Sequence, residues 1–476
     1  MAPHPLKTRF APSPTGLLHL GNVRTALFNY LLARQAGGTF LLRLEDTDAM
    51  RGHEKYAAAL QEDLRWIGLD WDEGPGIGGP HAPYAQSSRG EVYRRFFTGL
   101  EARGLAYPCF CSEHELAIAR KTALASGRPP RYSGRCRELS AAEAQTRFAA
   151  GAPATLRFRV AEGETVAFED KVRGAQRFAT ADIGDFVIRR SDGTPAFFFC
   201  NAIDDAVMGV TLVVRGEDHL SNTPRQILLL KALGLPVPDY AHIALVVGAD
   251  GAPLSKRTGS KTVQELRTAG YLPQAIDNYL ARLGHTYADN AFMDLDRLAA
   301  GFEVARLHHA PARFDESHLK HWQREAVQHA TADGLWAWMA PEVDALVPPG
   351  ARVAFIEAVR ANLTVPADAR AWARILFSDD LRVSHAAHAA IGAAGGGFFA
   401  AARRALETHG TDFKALAATV KQDTGLSGKA LFQPLRAALT GELDGPEMVK
   451  LLPLIGIERA RKRLLEWCEN GEKSKE

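Results

Sequence analysis

Between Arg9 and Asn22 the chain reads Arg-Phe-Ala-Pro-Ser-Pro-Thr-Gly-Leu-Leu-His-Leu-Gly-Asn, and no other stretch constrains its fold as much. Thr8 and Phe10 alternate with polar neighbours as a short strand does. Pro12, Pro14 and Gly16 then forbid continuation and force an irregular turn. Leu20, Val23, Leu27, Tyr30 and Leu31 recur at helical spacing, and Gly37-Gly38 is the stop before an apolar strand from Thr39 to Leu44. The order strand, turn, helix, strand is that of an α/β unit. A helix start flanked by His19 and Asn22, with Gly21 letting backbone come close to a ligand, can bind phosphate through free N–H groups and the helix dipole.

A second loop, Gly251-Ala252-Pro253-Leu254-Ser255-Lys256-Arg257-Thr258-Gly259, follows an apolar strand expected from His242 to Val247. Its flanking glycines allow movement, and Lys256 can meet charge that develops on a leaving pyrophosphate. Alone, each loop is compatible with ordinary surface polarity; together they point to ATP chemistry.

The segment from about Gly104 to Phe199 interrupts the α/β pattern, with Leu156, Phe158 and Val160, then Phe186 and Ile188, spaced as strands. The sheet resumes at Thr211 to Val214, and a helix from Pro224 to Leu233 follows, opened by Asn222 or Thr223. This is a split doubly wound fold, whose ligand belongs outside the carboxyl ends of its strands. Beyond Arg257 helices dominate, beginning with Val263 to Ala269 and Pro273 to Leu283. Thr411 is the expected N-cap ahead of Phe413, Leu416 and Val420, and Ile457, Ala460, Leu464 and Trp467 form a later apolar stripe. His385 to Gly397 reads as a mobile connection or helix junction.

The 476 residues suffice for three or four domains, and a net charge of +2 leaves nucleic-acid binding to local patches. No apolar run is long enough for a membrane span, residues 1 to 9 lack a secretory core, and five cysteines, an odd number, suit a reducing compartment. A cytoplasmic enzyme acting as a monomer is expected.

The two loops resemble the HIGH and KMSKS signatures of class I aminoacyl-tRNA synthetases, and the wording around them is similar to bacterial glutamyl-tRNA synthetases. The likeness extends through Leu42 to Asp48, Asn201 to Asp205, Arg215-Gly216-Glu217-Asp218-His219 and Ser255-Lys256-Arg257. Asn22 replaces the last His of the first signature, a familiar variant, and Pro253 replaces the first Lys of the second. The resemblance implies a class I Rossmann-like catalytic domain with an inserted α+β domain, followed by an all-helical anticodon-binding region. The expected divisions are 1–103 and 200–250 for the catalytic domain, 104–199 for the acceptor-binding insertion, 251–325 for a stem-contact region and 326–476 for the anticodon region.

A site for a dicarboxylic amino acid needs cations for two carboxylates and an anion for the ammonium, and Arg9, Glu45 and Arg215 form such a set. The resemblance implies Arg9 for the side-chain carboxylate, Arg215 for the α-carboxylate, Glu45 with Ser13 for the ammonium, and Ala11, Phe197 and Asn201 completing the pocket. Phe197 stands where many relatives carry a Tyr, so one hydroxyl is missing. ATP with Mg2+ is implied at His19, Gly21, Asp218, Leu254, Ser255 and Lys256, with His19, Gly21, Asn22, Lys256 and Arg257 as the catalytic set. Ordinary surface ion pairs are the alternative reading of the charged residues.

Cys109, Cys111 and Cys136 look like a small structural zinc knuckle lacking one ligand, for which the family's Tyr-x-x-x-Cys pattern favours Tyr132 over Glu138 or His114; free cysteines without a metal are the alternative. Ser427 to Arg436 resembles the helical anticodon-binding region, with Lys429 and Arg436 as candidate tRNA contacts. The expected reaction joins L-glutamate to tRNA through a glutamyl-adenylate; the acceptor is the tRNA for glutamate, for glutamine, or both. A glutaminyl-tRNA synthetase normally lacks the Arg9 to Gly16 wording and has a β-barrel anticodon part. A glutamyl-queuosine paralogue ends soon after the second loop, and a small-molecule nucleotidyltransferase needs neither insertion nor helical tail. A non-catalytic RNA-binding paralogue would lose His19 or Lys256.

Overall fold

The computed structural model describes residues 5–47, 53–127, 131–248, 250–252, 254 and 261–473. Two compact units are present, Met1–Leu266 with Ile276–Glu316, and Arg267–Ala275 with Ser317–Glu476.

In the first unit β1 (Lys7–Phe10) and β2 (Thr39–Leu42) pair in parallel, from Lys7 opposite Thr39 to Phe10 opposite Leu42. Thr8, Arg9 and Phe10 are all buried, so the alternation expected of this strand is replaced by burial on both faces. Between these strands runs α1 (Leu20–Gln35), which stops where Gly37 takes φ 58°. Gly38 is required for a different reason, since a Cβ there would lie 2.0 Å from the carbonyl oxygen of Leu6.

The interrupting segment contains β3 (Ala106–Cys109), β4 (Thr155–Phe158), β5 (Thr165–Asp170), β6 (Gly174–Ala179) and β7 (Phe186–Arg189). β3, β4 and β7 make an antiparallel sheet, with Val160 buried just beyond β4. β5 and β6 form a hairpin whose last residue before the turn, Asp170, pairs in parallel with Tyr240. Through that pairing the hairpin joins β8 (Leu212–Gly216) and β9 (Asp239–Ile243), which are parallel to each other, in the order β6-β5-β9-β8. The Thr211 N–H donates to the Lys7 carbonyl at 2.9 Å and ties β8 to β1.

The strand expected from His242 to Val247 is two pieces, β9 and β10 (Val246–Val247), the latter paired in parallel with β11 (Ala312–Arg313). The break has a side-chain cause. Arg24 of α1 donates to the Ala244 carbonyl at 2.7 Å, and the Leu245 N–H is taken by Glu217 at 3.1 Å, so neither group is left for a ladder. Thr223–Leu233 is helical with Asn222 in the N-cap position and Pro224 in the first turn, but the Asn222 side chain makes no capping bond.

The second unit is helical, from Ala332–Val343 to Ile457–Lys473. Leu335, Met339, Phe355, Phe399, Leu435 and Leu452 lie in its core. Its helices His385–Ala394 and Gly396–His409 meet at Gly395, φ 74°, the helix junction read from the glycine-rich stretch. Two expectations are corrected here. The N-cap of Phe413–Thr424 is Asp412, not Thr411; its carboxylate accepts from the N–H groups of Lys414 and Ala415 at 3.0 and 3.1 Å. Ile457 is exposed, because the helix begins there and only Ala460 and Leu464 reach the core fully. Among the described residues no helix is long and apolar enough to cross a membrane.

Removing a charged cap that satisfies two N–H groups costs about 1 kcal/mol. Asp412→Ala should therefore lower stability by about that amount in urea unfolding, whereas Thr411→Ala should change it by less than about 0.5 kcal/mol.

Candidate functional site

A cavity of about 610 Å³ opens at the carboxyl ends of β1, β8 and β9 and at the start of α1. Its walls include every described residue expected at the amino-acid and nucleotide sites, among them Arg9, His19, Glu45, Asn201 and Arg215. The loop after β1 is held against the extension of β2, with the Glu45 N–H on the Pro12 carbonyl at 3.0 Å. That bond brings Glu45 to the segment that carries Ser13.

Behind the cavity lies a buried ion cluster. Asp205, on the helix Phe197–Val207, accepts from Arg9 Nε at 3.1 Å and from Arg43 Nη1 at 2.7 Å. Arg43, with no exposed surface, also donates to Glu45 Oε1 at 3.2 Å. Burial would raise the Asp205 carboxyl, but the two guanidiniums outweigh it and hold the group below its ordinary value. Glu45 moves the other way, raised because burial exceeds the help of Arg43 and Arg9. Asn201 Nδ2 donates to Glu45 Oε1, and Glu45 Oε2 has no hydrogen bond among the described residues.

Arg9 spends two of a guanidinium's five N–H groups, the second on the Val214 carbonyl at 3.3 Å, and three are left uncommitted at the cavity wall. Arg215 differs sharply. Its Nε donates to His242, Nη1 to Asn201, and Nη2 to both Thr223 and Gln226, at 3.2, 3.4, 2.9 and 2.6 Å. Four N–H groups are thus committed to neutral acceptors and one remains. With no carboxylate among these partners, burial lowers the Arg215 pKa to about 10. Within this cluster the guanidiniums of Arg9, Arg43 and Arg215 face the carboxylates of Glu45 and Asp205, leaving one net positive charge. An amino acid with two carboxylates and one ammonium carries the complementary charge.

On the side expected to take the nucleotide, His19 occupies the N-cap position of α1 without a capping bond from its side chain. Gly21 packs closely against it, since a Cβ at 21 would lie 3.2 Å from the imidazole of His19 and the ring would have to give by a few tenths of an ångström. The glycine therefore makes room for a side chain, a role distinct from the backbone approach inferred from sequence. Phe197 stacks on His219 at 5.4 Å between centroids, and burial next to Arg215 lowers the His219 pKa to about 4. Asp218 lies at the same mouth, its carboxylate folded over Gly216, where a Cβ would meet it at 2.4 Å. Ser255, Lys256 and Arg257, with Pro253, lie outside the described residues. Their described flanks converge on the site: Leu254 lines the cavity and donates to the Val246 carbonyl at 2.8 Å, while Thr262 bridges to His19 and Val263 N–H reaches the Leu18 carbonyl at 3.0 Å.

The cysteine cluster is separate. Ligand atoms of Cys109, Cys111 and Cys136 lie within 4.8 Å of one another. The Tyr132 hydroxyl is 3.4 Å from Cys109 Sγ and 3.6 Å from Cys111 Sγ. Burial pushes the Cys109 thiol up, but hydrogen bonds from Tyr132 and Arg157 outweigh it and bring the pKa to about 7. Three thiols and a phenol converging at this separation suit a tetrahedral zinc ion. Glu138 is exposed and faces Arg137 and Arg159, and His114 is exposed on the helix Glu113–Ala125.

In the second unit Lys429 is exposed at the start of Lys429–Thr440, whereas Arg436 is half-buried and donates to the Pro446 carbonyl at 2.8 Å. Asp205 and Arg43 stand in the sequence reading without a role, Thr223 and His242 only as the ends of expected elements, and Asp170 and Gln226 not at all. An aspartate pair inside Phe-Phe-Phe-Cys-Asn-Ala-Ile-Asp-Asp-Ala-Val, apolar apart from that pair and Asn201, was the available signal, because a buried carboxylate requires a buried cation.

Residues 5–321 match the family model described as tRNA synthetases class I (E and Q), catalytic domain, and residues 345–468 match the anticodon binding domain. The chain is 61% identical over 459 residues to glutamate–tRNA ligase 2 of Nitrosococcus oceani, covering 96% of this chain and 97% of that protein. It is 55% identical over 467 residues to glutamate–tRNA ligase 1 of Methylococcus capsulatus, covering 98% and 99%. Its fold matches the crystal structure of a glutamate tRNA ligase from Elizabethkingia meningosepticum in complex with its amino acid, with TM-score 0.88, 30% identity and coverage of 98% and 100%.

Gly21→Ala would crowd the His19 ring and shift it by a few tenths of an ångström. Turnover should fall by about threefold with the thermal midpoint unchanged, read by steady-state kinetics beside a melting curve.

Proposed function

The chain belongs to the glutamyl-tRNA synthetases, class I enzymes that attach glutamate to tRNA, and from that premise we propose how its own residues divide the work. Arg9 takes the side-chain carboxylate of glutamate and Arg215 the α-carboxylate. Glu45 with Ser13 takes the ammonium, and Asn201, Ala11 and Phe197 complete the pocket. The observation that carries this reading is the charge deficit at Arg215, a buried guanidinium held only by neutral acceptors beside a cluster one negative charge short. A buried cation without a counter-charge is costly, and a ligand carboxylate relieves that cost. The shortage on Arg215 gives it one N–H to offer, so the bidentate grip falls to Arg9.

Class I chemistry uses ATP with Mg2+. Attack of the glutamate carboxylate on the α-phosphorus forms the adenylate and expels pyrophosphate, and the terminal ribose hydroxyl of tRNA then displaces AMP. No covalent enzyme intermediate is required, so alignment and charge stabilisation carry the catalysis. His19 donates to phosphate at the helix start, with Gly21 and Asn22 beside it. Asp218, Leu254 and Ser255 bound the nucleotide, and Lys256 with Arg257 meets the leaving pyrophosphate. Pro253 places that duty on those two cations alone. Phe197 supplies stacking where relatives have a phenol.

We place the tRNA acceptor end against residues 104–199, the stem against 251–325 and the anticodon against 326–476, with Lys429 and Arg436 as contacts. The accepted tRNA is the one for glutamate, for glutamine, or both. Cys109, Cys111, Cys136 and Tyr132 would hold one zinc ion, whose contribution is to organise the insertion.

Aminoacylation with glutamate or glutamine, ATP and each purified tRNA tests the pocket, because charging with glutamine and not glutamate would sink it. Arg9→Gln should raise the glutamate KM about a hundredfold while leaving the ATP KM within about twofold. For the knuckle, elemental analysis of freshly purified, unchelated protein should find one zinc per chain; its absence would count against the site.

A further inference from the structure

Arg215 Nε donates to His242 Nε2 at 3.2 Å, and His242 Nδ1 lies 2.5 Å from Asp170 Oδ2. All three residues are buried, and Asp170 belongs to β5, a strand of the interrupting segment. We propose that Asp170 and His242 are positioning residues for the amino-acid pocket: Asp170 fixes the His242 tautomer, and the imidazole then orients the Arg215 guanidinium. This rests on the reading of Arg215 as the carboxylate-binding cation.

Both ends of the chain of bonds require the same tautomer. An ionised carboxylate only accepts, so Nδ1 carries the proton; Arg215 Nε only donates, so Nε2 offers its lone pair. Hydrogen bonds from His242 and from the Arg173 N–H overcome burial and hold the Asp170 carboxyl below its ordinary value. Burial keeps the imidazole neutral despite Asp170. Asp170 is itself over-determined. It accepts from the backbone N–H groups of Val172, Arg173 and His242 at 3.0, 2.8 and 3.1 Å, and Arg173 Nε returns to the His242 carbonyl at 3.2 Å. The β5–β6 turn therefore grips β9 at the residue that orients Arg215. Gln226 and Thr223 hold Nη2 of Arg215, and the Thr223 hydroxyl also lies 3.0 Å from His242 Nε2, so guanidinium and imidazole are braced together when the last N–H engages a ligand.

Asp170→Asn keeps the backbone acceptor but can turn an amide N–H toward Nδ1. The proton then moves to Nε2 and opposes the Arg215 N–H. His242→Asn preserves a partner for Asp170 and removes the acceptor for Arg215, whereas His242→Gln places an amide oxygen near the old Nε2. With tRNA and ATP saturating, D170N and H242N should each raise the glutamate KM about tenfold, with the ATP and tRNA KM values unchanged. H242Q should restore it to within about threefold of the parent. Labelling with 15N-histidine should show His242 protonated at Nδ1 in the unaltered chain, a measurement that needs no variant to fold. A proton on Nε2 there would overturn the proposal. So would a glutamate KM within about twofold of the parent in both D170N and H242N while Arg215→Gln raises it far more; in that case the pocket reading stands. If Arg215→Gln leaves the glutamate KM unchanged, the pocket reading fails and the positioning role falls with it.

Discussion

Asp205 is the group on which the site depends. It sits in a helix that is otherwise almost wholly apolar, and its carboxylate is shared by Arg9 at the end of β1 and by Arg43 just beyond β2. Neither arginine could be buried alone, and neither strand end could be brought this close to the helix without the bridge. The fold thus uses one anion to hold two cations, and Arg43 in turn holds Glu45. Groups that line the cavity are aligned by charges set back from it.

A second consequence is the separation of labour between arginines. Arg43 is paired with two carboxylates, Arg9 with one carboxylate and a backbone carbonyl, and Arg215 is surrounded by neutral acceptors. Three copies of one side chain therefore present three electrostatic states within one cluster, set by partners drawn from distant parts of the chain. The same economy appears at the nucleotide end, where a glycine serves the histidine beside it.

Much of this was legible in the sequence, for identifiable reasons. The turn from Arg9 to Asn22 and the helix after it are local, written in prolines, glycines and helical spacing, and the structure places them as expected. The expected pocket residues converge because strand ends in a doubly wound sheet face one edge. What escaped was non-local. The break at Ala244–Leu245 arises from Arg24 and Glu217, which no window around β9 contains. Asp170 is separated from His242 by 72 positions, and only the strand pairing makes them neighbours. The cap at Asp412 was missed for a simpler reason: Thr411 and Asp412 are both good caps, and the helix start decides between them by one residue.

The incomplete neutralisation of Arg215 has a thermodynamic corollary for how such a chain changes over time. A buried guanidinium lacking a counter-ion is strain carried by the empty protein, so replacement by a neutral side chain of similar shape would tend to stabilise the fold. Selection for thermal robustness alone would erode this position early. On the proposed role of Arg215 in binding glutamate, variants chosen only for stability should be inspected here first.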